Sequence, residues 1–353
     1  MISALLFLAC TPGGAPGTAS KVDDSDLPAD SGLPADSGLP EDTDAACPAG
    51  DWVLSGGQLC HQGAPARPIG ANAMHVFGPG SADMAEAGLV LAREFIGNMS
   101  EQPLEGWAIQ DSRGSWLHPL RDVVEDNRSH GLVTLLSPMG WDGEEALLGK
   151  EPSEVDWGPA YVERLQSVAA LFAGERDVWL SVWNEPYAWT GEGFSEDRWQ
   201  ADMQGLVDAV RDTGFDGILV VPGSHMGQGA AVLASHGPLL EDPQQSLLFD
   251  LHAYERWLLE RSAEEADAEL SALDEAGIAW MIGEIAPMNA GTLMDPRPFL
   301  ALPRVLRRPA AAWLWKYSDT DTDALRTADG ALNDRDNNAW GSTWAAHAAS
   351  TPP

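Results

Sequence analysis

Apolar positions along this chain fall into two alternating periods. Short, nearly continuous apolar runs of strand length recur at Arg67–Asn72, Leu89–Ile96, Leu132–Ser137, Val178–Asn184, Gly217–Pro222, Leu247–His252, Ala279–Glu284 and Ala311–Tyr317. Runs without polar alternation suit strands covered on both faces, as in a parallel sheet. Between them the period lengthens to that of a helix. In Pro159–Ala173 the residues Tyr161, Leu165, Val168 and Phe172 return every three or four places, which marks one buried helical face. The same reading predicts helices over Leu117–His130, Arg198–Thr213 and Ala263–Ala276.

Several of these helices run into a glycine and then at once into the next strand: Gly131 before Leu132, Gly214 before the fifth strand, Gly277 before the seventh. Glycine accepts the left-handed conformation that closes a helix, so short helix-to-strand turns are expected there. The strand-to-helix connections are longer and hold the unusual residues. Eight such units in a chain of 353 residues favour a closed (β/α)8 TIM barrel over an open sheet. In that fold, chemistry belongs at the carboxyl ends of the strands.

Ahead of residue 47 the pattern disappears. Residues 11–46 are rich in Gly, Pro, Ser, Thr and Asp, with LPADSG at Leu27–Gly32 repeated at Leu33–Gly38. Such a segment buries no apolar surface and is expected to be a disordered acidic linker, self-repelling, ahead of a globular domain spanning 47–353. Residues 1–10, MISALLFLAC, form an apolar run too short to span a bilayer as a helix. Its ending at Cys10 resembles a bacterial lipoprotein signal, in which the cysteine becomes the lipidated first residue, although no Lys or Arg precedes the run. That resemblance implies a lipid anchor on Cys10 and an exported protein, at the cell surface, in the periplasm or secreted. In an exported chain, Cys47 and Cys60 are expected to form a disulfide. No Cys/His cluster has zinc-site spacing, and no metal or other cofactor is expected.

Charge narrows the ligand. With 54 acidic and 20 basic residues the formal charge is −34, which argues against nucleic acid and anionic membrane as partners and favours a neutral or cationic ligand. Fifteen tryptophans supply aromatic faces for the core or for the apolar faces of sugars.

Two strands end in glutamates. VWLSVWNEPY at Val178–Tyr187 delivers Asn184 and Glu185 before Pro186, which can extend neither strand nor helix through its own nitrogen. AWMIGEIAP at Ala279–Pro287 delivers Glu284 after Gly283 in the same way. Two carboxyls facing each other across one barrel mouth are what glycoside hydrolysis requires, one to protonate the leaving oxygen and one on the opposite side of the sugar.

Five segments carry a family resemblance: WNEP at Trp183–Pro186, LHAY at Leu251–Tyr254, IGE at Ile282–Glu284, the arginine of LAREF at Leu91–Phe95, and WLW at Trp313–Trp315. In order and strand position this set resembles glycoside hydrolase family 5 and its clan of (β/α)8 retaining glycosidases, from Arg67 onward. The resemblance implies Glu185 as acid/base, Glu284 as nucleophile and Asn184 as the amide holding the sugar 2-hydroxyl. It implies that Arg93 and Tyr254 hydrogen-bond the nucleophile, that His252 stands beside the acid/base, and that Trp315 lies under the sugar at the cleavage point. Physical chemistry asks for the same division: an arginine and a phenol favour an ionised nucleophile, while the acid needs a raised pKa. A retaining pair should stand about 5–5.5 Å apart.

One segment departs from the pattern. Where many family members carry a histidine after strand three, this chain has Ser137-Pro138-Met139-Gly140-Trp141, and Trp141 with Asp142 and Gly143 resembles the polar-Trp segment that mannanase-like members often place there. Trp141, Trp189 and Trp257, all on strand-to-helix connections, are the expected flanking sugar sites. The reading is therefore a monomeric, retaining, endo-acting β-glycoside hydrolase acting on a polysaccharide or oligosaccharide, a β-1,4-linked glucan or mannan. The alternative is a non-catalytic carbohydrate-binding lipoprotein on the same barrel, against which stands the presence of both glutamates with Asn184, Arg93 and Tyr254.

Overall fold

The computed structural model describes residues 46–78 and 80–350; Cys10 and the linker up to residue 45 lie outside the described residues. Strands β1 (Ile69–Ala73), β2 (Leu91–Ile96), β3 (Val133–Pro138), β4 (Val178–Ser181), β5 (Leu219–Pro222), β6 (Leu247–Ala253), β7 (Trp280–Ile285) and β8 (Ala310–Ala312) close into a parallel barrel. Each pairs with its sequence neighbour, and β8 returns to β1 through Ala310 opposite Ile69. All eight predicted strands are present.

Two are shorter than the apolar pattern suggested. β4 stops at Ser181 rather than Asn184, because the chain turns sharply into the left-handed region at Glu185 (φ +50°) and Tyr187 (φ +62°). β8 stops at Ala312 rather than Tyr317. The predicted helices are observed as Leu120–Ser129, Gly158–Leu171, Glu196–Arg211 and Ala263–Glu275. The third and fourth start where serine caps them: Ser195 accepts from the Arg198 N–H, and Ser262 with Glu265 forms a reciprocal capping box. Gly131, Gly214 and Gly277 all take positive φ, as the helix-to-strand turns require.

The core has two compartments. One lies between the barrel and its helices and includes Tyr161, Leu165, Trp199, Leu206, Leu270 and Trp344. The other fills the barrel itself at its amino-terminal end, with Leu91, Val133, Leu135, Trp179, Val220, Leu248 and Met281. A small antiparallel sheet (Val53–Ser55, Gln58–His61, Ala64–Pro65) closes that end. Its Leu59 joins the interior cluster, and Trp52 stacks on His61 and sets its edge against Trp179. Cys47 and Cys60 are joined by a disulfide that ties the entering chain to the middle strand of this sheet. With one mouth plugged, only the carboxyl end of the barrel is left for a site.

Leu59 is 4% exposed, so Leu59→Ala removes apolar volume from the interior cluster that it joins. Urea unfolding should show a loss of about 3 kcal/mol with an unchanged m-value.

Candidate active site

Neighbouring strands bring the polar side chains together in pairs. Asn72 on β1 lies opposite Arg93 on β2, and His252 on β6 lies opposite Glu284 on β7. Arg93 is fully buried and Glu284 is 4% exposed. Arg93 Nη1 donates to Glu284 Oε1 at 2.7 Å and to Asn72 Oδ1 at 2.6 Å, and its Nη2 donates to Asn184 Oδ1 at 2.8 Å. Tyr254 Oη donates to the other oxygen of Glu284 at 2.7 Å. Asn72 turns its amide to the carbonyls of Gly283 and Ala312, which locks it between β7 and β8.

Glu185 faces this group from the β4 side. One of its oxygens lies within 4.8 Å of a Glu284 oxygen, with a His252 ring nitrogen inside the same radius. Burial first, and the charge of Glu284 second, push the Glu185 carboxyl up to about 7, against the opposing pull of His252 and Arg93. Burial by itself would lower His252, but the charges of Glu284 and Asp250 and its hydrogen bonds to Asp250 and Glu185 raise it to about 10. His252 Nδ1 lies 2.7 Å from Glu185 Oε1, and its Nε2 lies 3.3 Å from both Asp250 Oδ2 and Arg93 Nη2. Burial and the neighbouring Glu284 charge hold the Tyr254 phenol well above its usual range, so it remains a donor.

Asp250 belongs to this group, although the sequence reading passed over it. It is fully buried, 3.6 Å from Arg93, and stands two residues before His252 on the inward face of β6. A carboxylate inside an apolar strand was the available signal. Its side chain also explains Gly283: a Cβ there would lie 2.1 Å from Asp250 Oδ1. Gly227 makes room for His252 in the same way, since its Cβ would lie 2.7 Å from the ring. Asn72 was passed over as well, a lone amide in an otherwise apolar strand.

Glu185, His252 and Glu284 are also the one group of ligand-type side chains, among the described residues, with spacing that could hold a metal ion. The cation that meets Glu284 is the Arg93 guanidinium, which also lies 3.6 Å from Asp250.

The aromatic expectations fare unevenly. Trp189 is 38% exposed on the connection that follows Glu185, and Trp141 is half-buried. Trp257 is a correction: it is 2% exposed, donates its indole N–H to the Gln228 carbonyl and packs on Phe299, so no face is left for a ligand. Trp315 is a second one. It is buried in the main core with the Arg326 guanidinium over its ring at 5.0 Å. The reason is that β8 ends at Ala312, so strand alternation does not extend to Trp313 and Trp315. Trp313 is the half-buried one, packed against the small cluster of Tyr254, Ala286 and Met294, and thus beside the phenol that bonds Glu284. The loop after β3 supports the Glu185 turn: Gly149 N–H donates to the Glu185 carbonyl at 2.8 Å and Tyr187 N–H to that of Lys150 at 2.9 Å.

Comparison with known proteins gives the family and the fold. Residues 104–322 match the family model described as Cellulase (glycosyl hydrolase family 5). No curated protein sequence matches the chain significantly. Among solved structures, the β-mannanase from Streptomyces thermolilacinus aligns at 21% identity over 86% of this chain and 98% of its own, with a TM-score of 0.66. The β-mannanase from Thermomonospora fusca aligns at 18% identity over 86% and 97%, with a TM-score of 0.65. An endo-β-1,4-glucanase from Xanthomonas axonopodis pv. citri carrying a triple mutation aligns at 18% over 80% and 99%, with a TM-score of 0.59. At these identities the likeness establishes the barrel fold.

A carboxyl raised from the usual range to about 7 binds its proton more tightly in the folded state. Its contribution to stability is therefore complete below about pH 4.5 and is lost as pH rises through about 7. Glu185→Gln cannot titrate, so its unfolding free energy should be flatter than the parent's across that window. Identical slopes in urea titrations at pH 4.5, 6 and 7.5 would show that Glu185 is not raised.

Proposed function

This chain belongs to glycosyl hydrolase family 5, matched over residues 104–322, and on that premise we propose that it is a retaining, endo-acting β-glycoside hydrolase for a β-1,4-linked glucan or mannan. The observation that carries the reading is the unequal pair of glutamates, with oxygens within 4.8 Å of each other at the open end of the barrel. A gap this short leaves no room for a water between sugar and carboxylate, which suits direct attack rather than inversion.

In this reading Glu284, held by Arg93 and Tyr254, attacks the anomeric carbon. The glycosidic C–O bond breaks, and Glu185 gives its proton to the departing oxygen. Forming the glycosyl ester discharges Glu284, which removes one of the two causes that raise Glu185. Glu185 is then the better base for the incoming water, which attacks the anomeric carbon, yields its proton to Glu185 and frees Glu284. Asn184, oriented by Arg93 Nη2, is the amide for the sugar 2-hydroxyl. Trp313 rather than Trp315 is the platform beside the cleavage point, with Trp141 and Trp189 at flanking sugars. Export through Cys10 and an acidic tether belongs to the same proposal, since a polymer of this size is met outside the cell.

Both mannan and glucan belong in the assay, because mannanases and an endoglucanase share this barrel. Release of reducing ends from one of them, with the β anomer appearing first by proton NMR, is the expected result. An α product appearing first contradicts retention.

The two glutamates separate by rescue. Glu284→Ala should lose several orders of magnitude in turnover whatever the leaving group. Glu185→Ala should keep a fast first step on an aryl glycoside whose phenol leaves without protonation, and azide should restore turnover as the β-glycosyl azide. The α-azide is expected from Glu284→Ala. Interchanged azides would interchange the roles.

The descending limb of kcat/KM should lie at about pH 7, where the raised Glu185 gives up its proton. A limb above pH 9 on substrates that need the acid would assign the proton to another group.

A further inference from the structure

The connection from β2 to the helix Leu120–Ser129 rises at the same end of the barrel as Glu185 and Glu284 and carries a two-stranded hairpin, Ile109–Gln110 against Trp116–Leu117. It is held firmly by polar contacts. Glu101 accepts from the Ser112 N–H at 2.8 Å and its hydroxyl at 2.6 Å, and Asp111 accepts from the Ser115 N–H at 2.7 Å. Gln102 donates to the His118 carbonyl at 2.6 Å. Yet this braced connection leaves two indoles in water: Trp107, in the bend before the hairpin, is 88% exposed and Trp116 58%, the largest values among the large hydrophobic side chains of the described residues. Burial energetics give no reason to keep two such rings out of a core that takes in most of the other tryptophans.

The hairpin is continuous with the candidate cleft. Met99 N–H donates to the Gly140 carbonyl at 3.0 Å and Ser100 N–H to the Trp141 carbonyl at 2.7 Å. Trp141 in turn stacks on Trp157 with ring centres 5.7 Å apart, and Trp157 stacks on Trp183 at 5.6 Å, next in the chain to Asn184 and Glu185. The base of the connection that carries the exposed pair is thus bonded to the segment of Trp141, whose ring stack leads to the acid/base turn. The formal charge of −34 disfavours polyanions and anionic lipid as occupants, whereas the indole offers an apolar face and an N–H donor on a rigid side chain that loses little entropy on binding.

We propose that Trp107 and Trp116 form an outer platform for a neutral β-linked glycan chain, holding the polymer beyond the cleft in which it is cut. The proposal rests on the glycosidase reading of the cleft for the kind of chain that arrives there. Its expected signature is a separation of polymer from short substrate. A short aryl glycoside fills only the cleft and should not sense the platform, while an insoluble chain should.

The test uses the full chain carrying Glu284→Gln, with and without Trp107→Ala and Trp116→Ala together, in depletion assays on insoluble β-1,4-mannan and on cellulose. Removing both rings should weaken retention on one of these polymers at least about tenfold, the factor that ~1.4 kcal/mol produces. In the otherwise native chain, the double substitution should raise KM for the polymer and leave kcat/KM on an aryl glycoside and the melting temperature unchanged. Unchanged retention on both polymers overturns the platform, as does an equal loss on the aryl glycoside, which would place these rings in the cleft. A dimer that dissociates on the double substitution with retention unchanged would assign the rings to a second copy of the chain and also overturns it. Should the native chain hydrolyse neither polymer and still bind one through Trp107 and Trp116, the platform stands and the glycosidase reading falls.

Discussion

A guanidinium and a carboxylate withdrawn from water together set the terms for this barrel. Arg93 and Glu284 meet at 2.7 Å with almost no exposure. Desolvating such a pair costs several kcal/mol per ion, a cost offset only when the remaining donors and acceptors are also matched. Asn72, Asn184 and Tyr254 supply most of that matching, each from a different strand or strand end. The dependence runs outward from there. Asn72 is itself held by β7 and β8 carbonyls, and Gly283 exists without a side chain because Asp250 occupies its space. Removing one member leaves a buried charge or dipole without its partner, so the group is retained or lost as a unit.

The same constraint makes two glutamates chemically different. Glu284 stands against a permanent cation and a phenol, while Glu185 meets burial and the Glu284 charge before anything that favours its ionisation. Arg93 is engaged by Glu284 and Asp250, and the pull of His252 and Arg93 on Glu185 is outweighed by its burial and the Glu284 charge. Glu185 therefore keeps its proton to about pH 7. A carboxyl that keeps its proton near neutrality can serve as an acid, and the shift of Glu185 follows here from placement rather than from residue type.

Aromatic residues connect this polar centre to its surroundings. The Trp141–Trp157–Trp183 stack, with Tyr161 set edge-on beneath it, fills the space under the Glu185 turn. That turn has a left-handed residue at Glu185, a conformation that costs energy unless the surroundings enforce it. The stack and the backbone bonds from Gly149 and Tyr187 enforce it. Below, Trp52 and Leu59 pack on the apolar interior cluster and close the opposite mouth, so the site is open at one end.

The barrel and its polar pairs were legible in the sequence because their signals are local. Apolar runs, helical periods, glycines at helix ends and glutamates placed where strands end are all written within a few residues, and parallel strands side by side then bring Asn184, Arg93, His252, Tyr254 and Glu284 to one mouth. What the sequence could not decide was any matter settled by side chains from distant segments. Asp250 and Asn72 are polar residues in largely apolar strands, and only their contacts with Arg93 give them a role. Trp257 and Trp315 looked like surface aromatics, because nothing near them in the chain announces that Gln228, Phe299 and Arg326 will cover them. Trp313, and not Trp315, is the half-buried ring beside Tyr254 because β8 ends early, and a strand ends where its neighbours stop pairing with it. Periodicity along one chain specifies which face of an element is apolar; only packing between elements decides which aromatic faces stay in water, and which carboxyl keeps its proton.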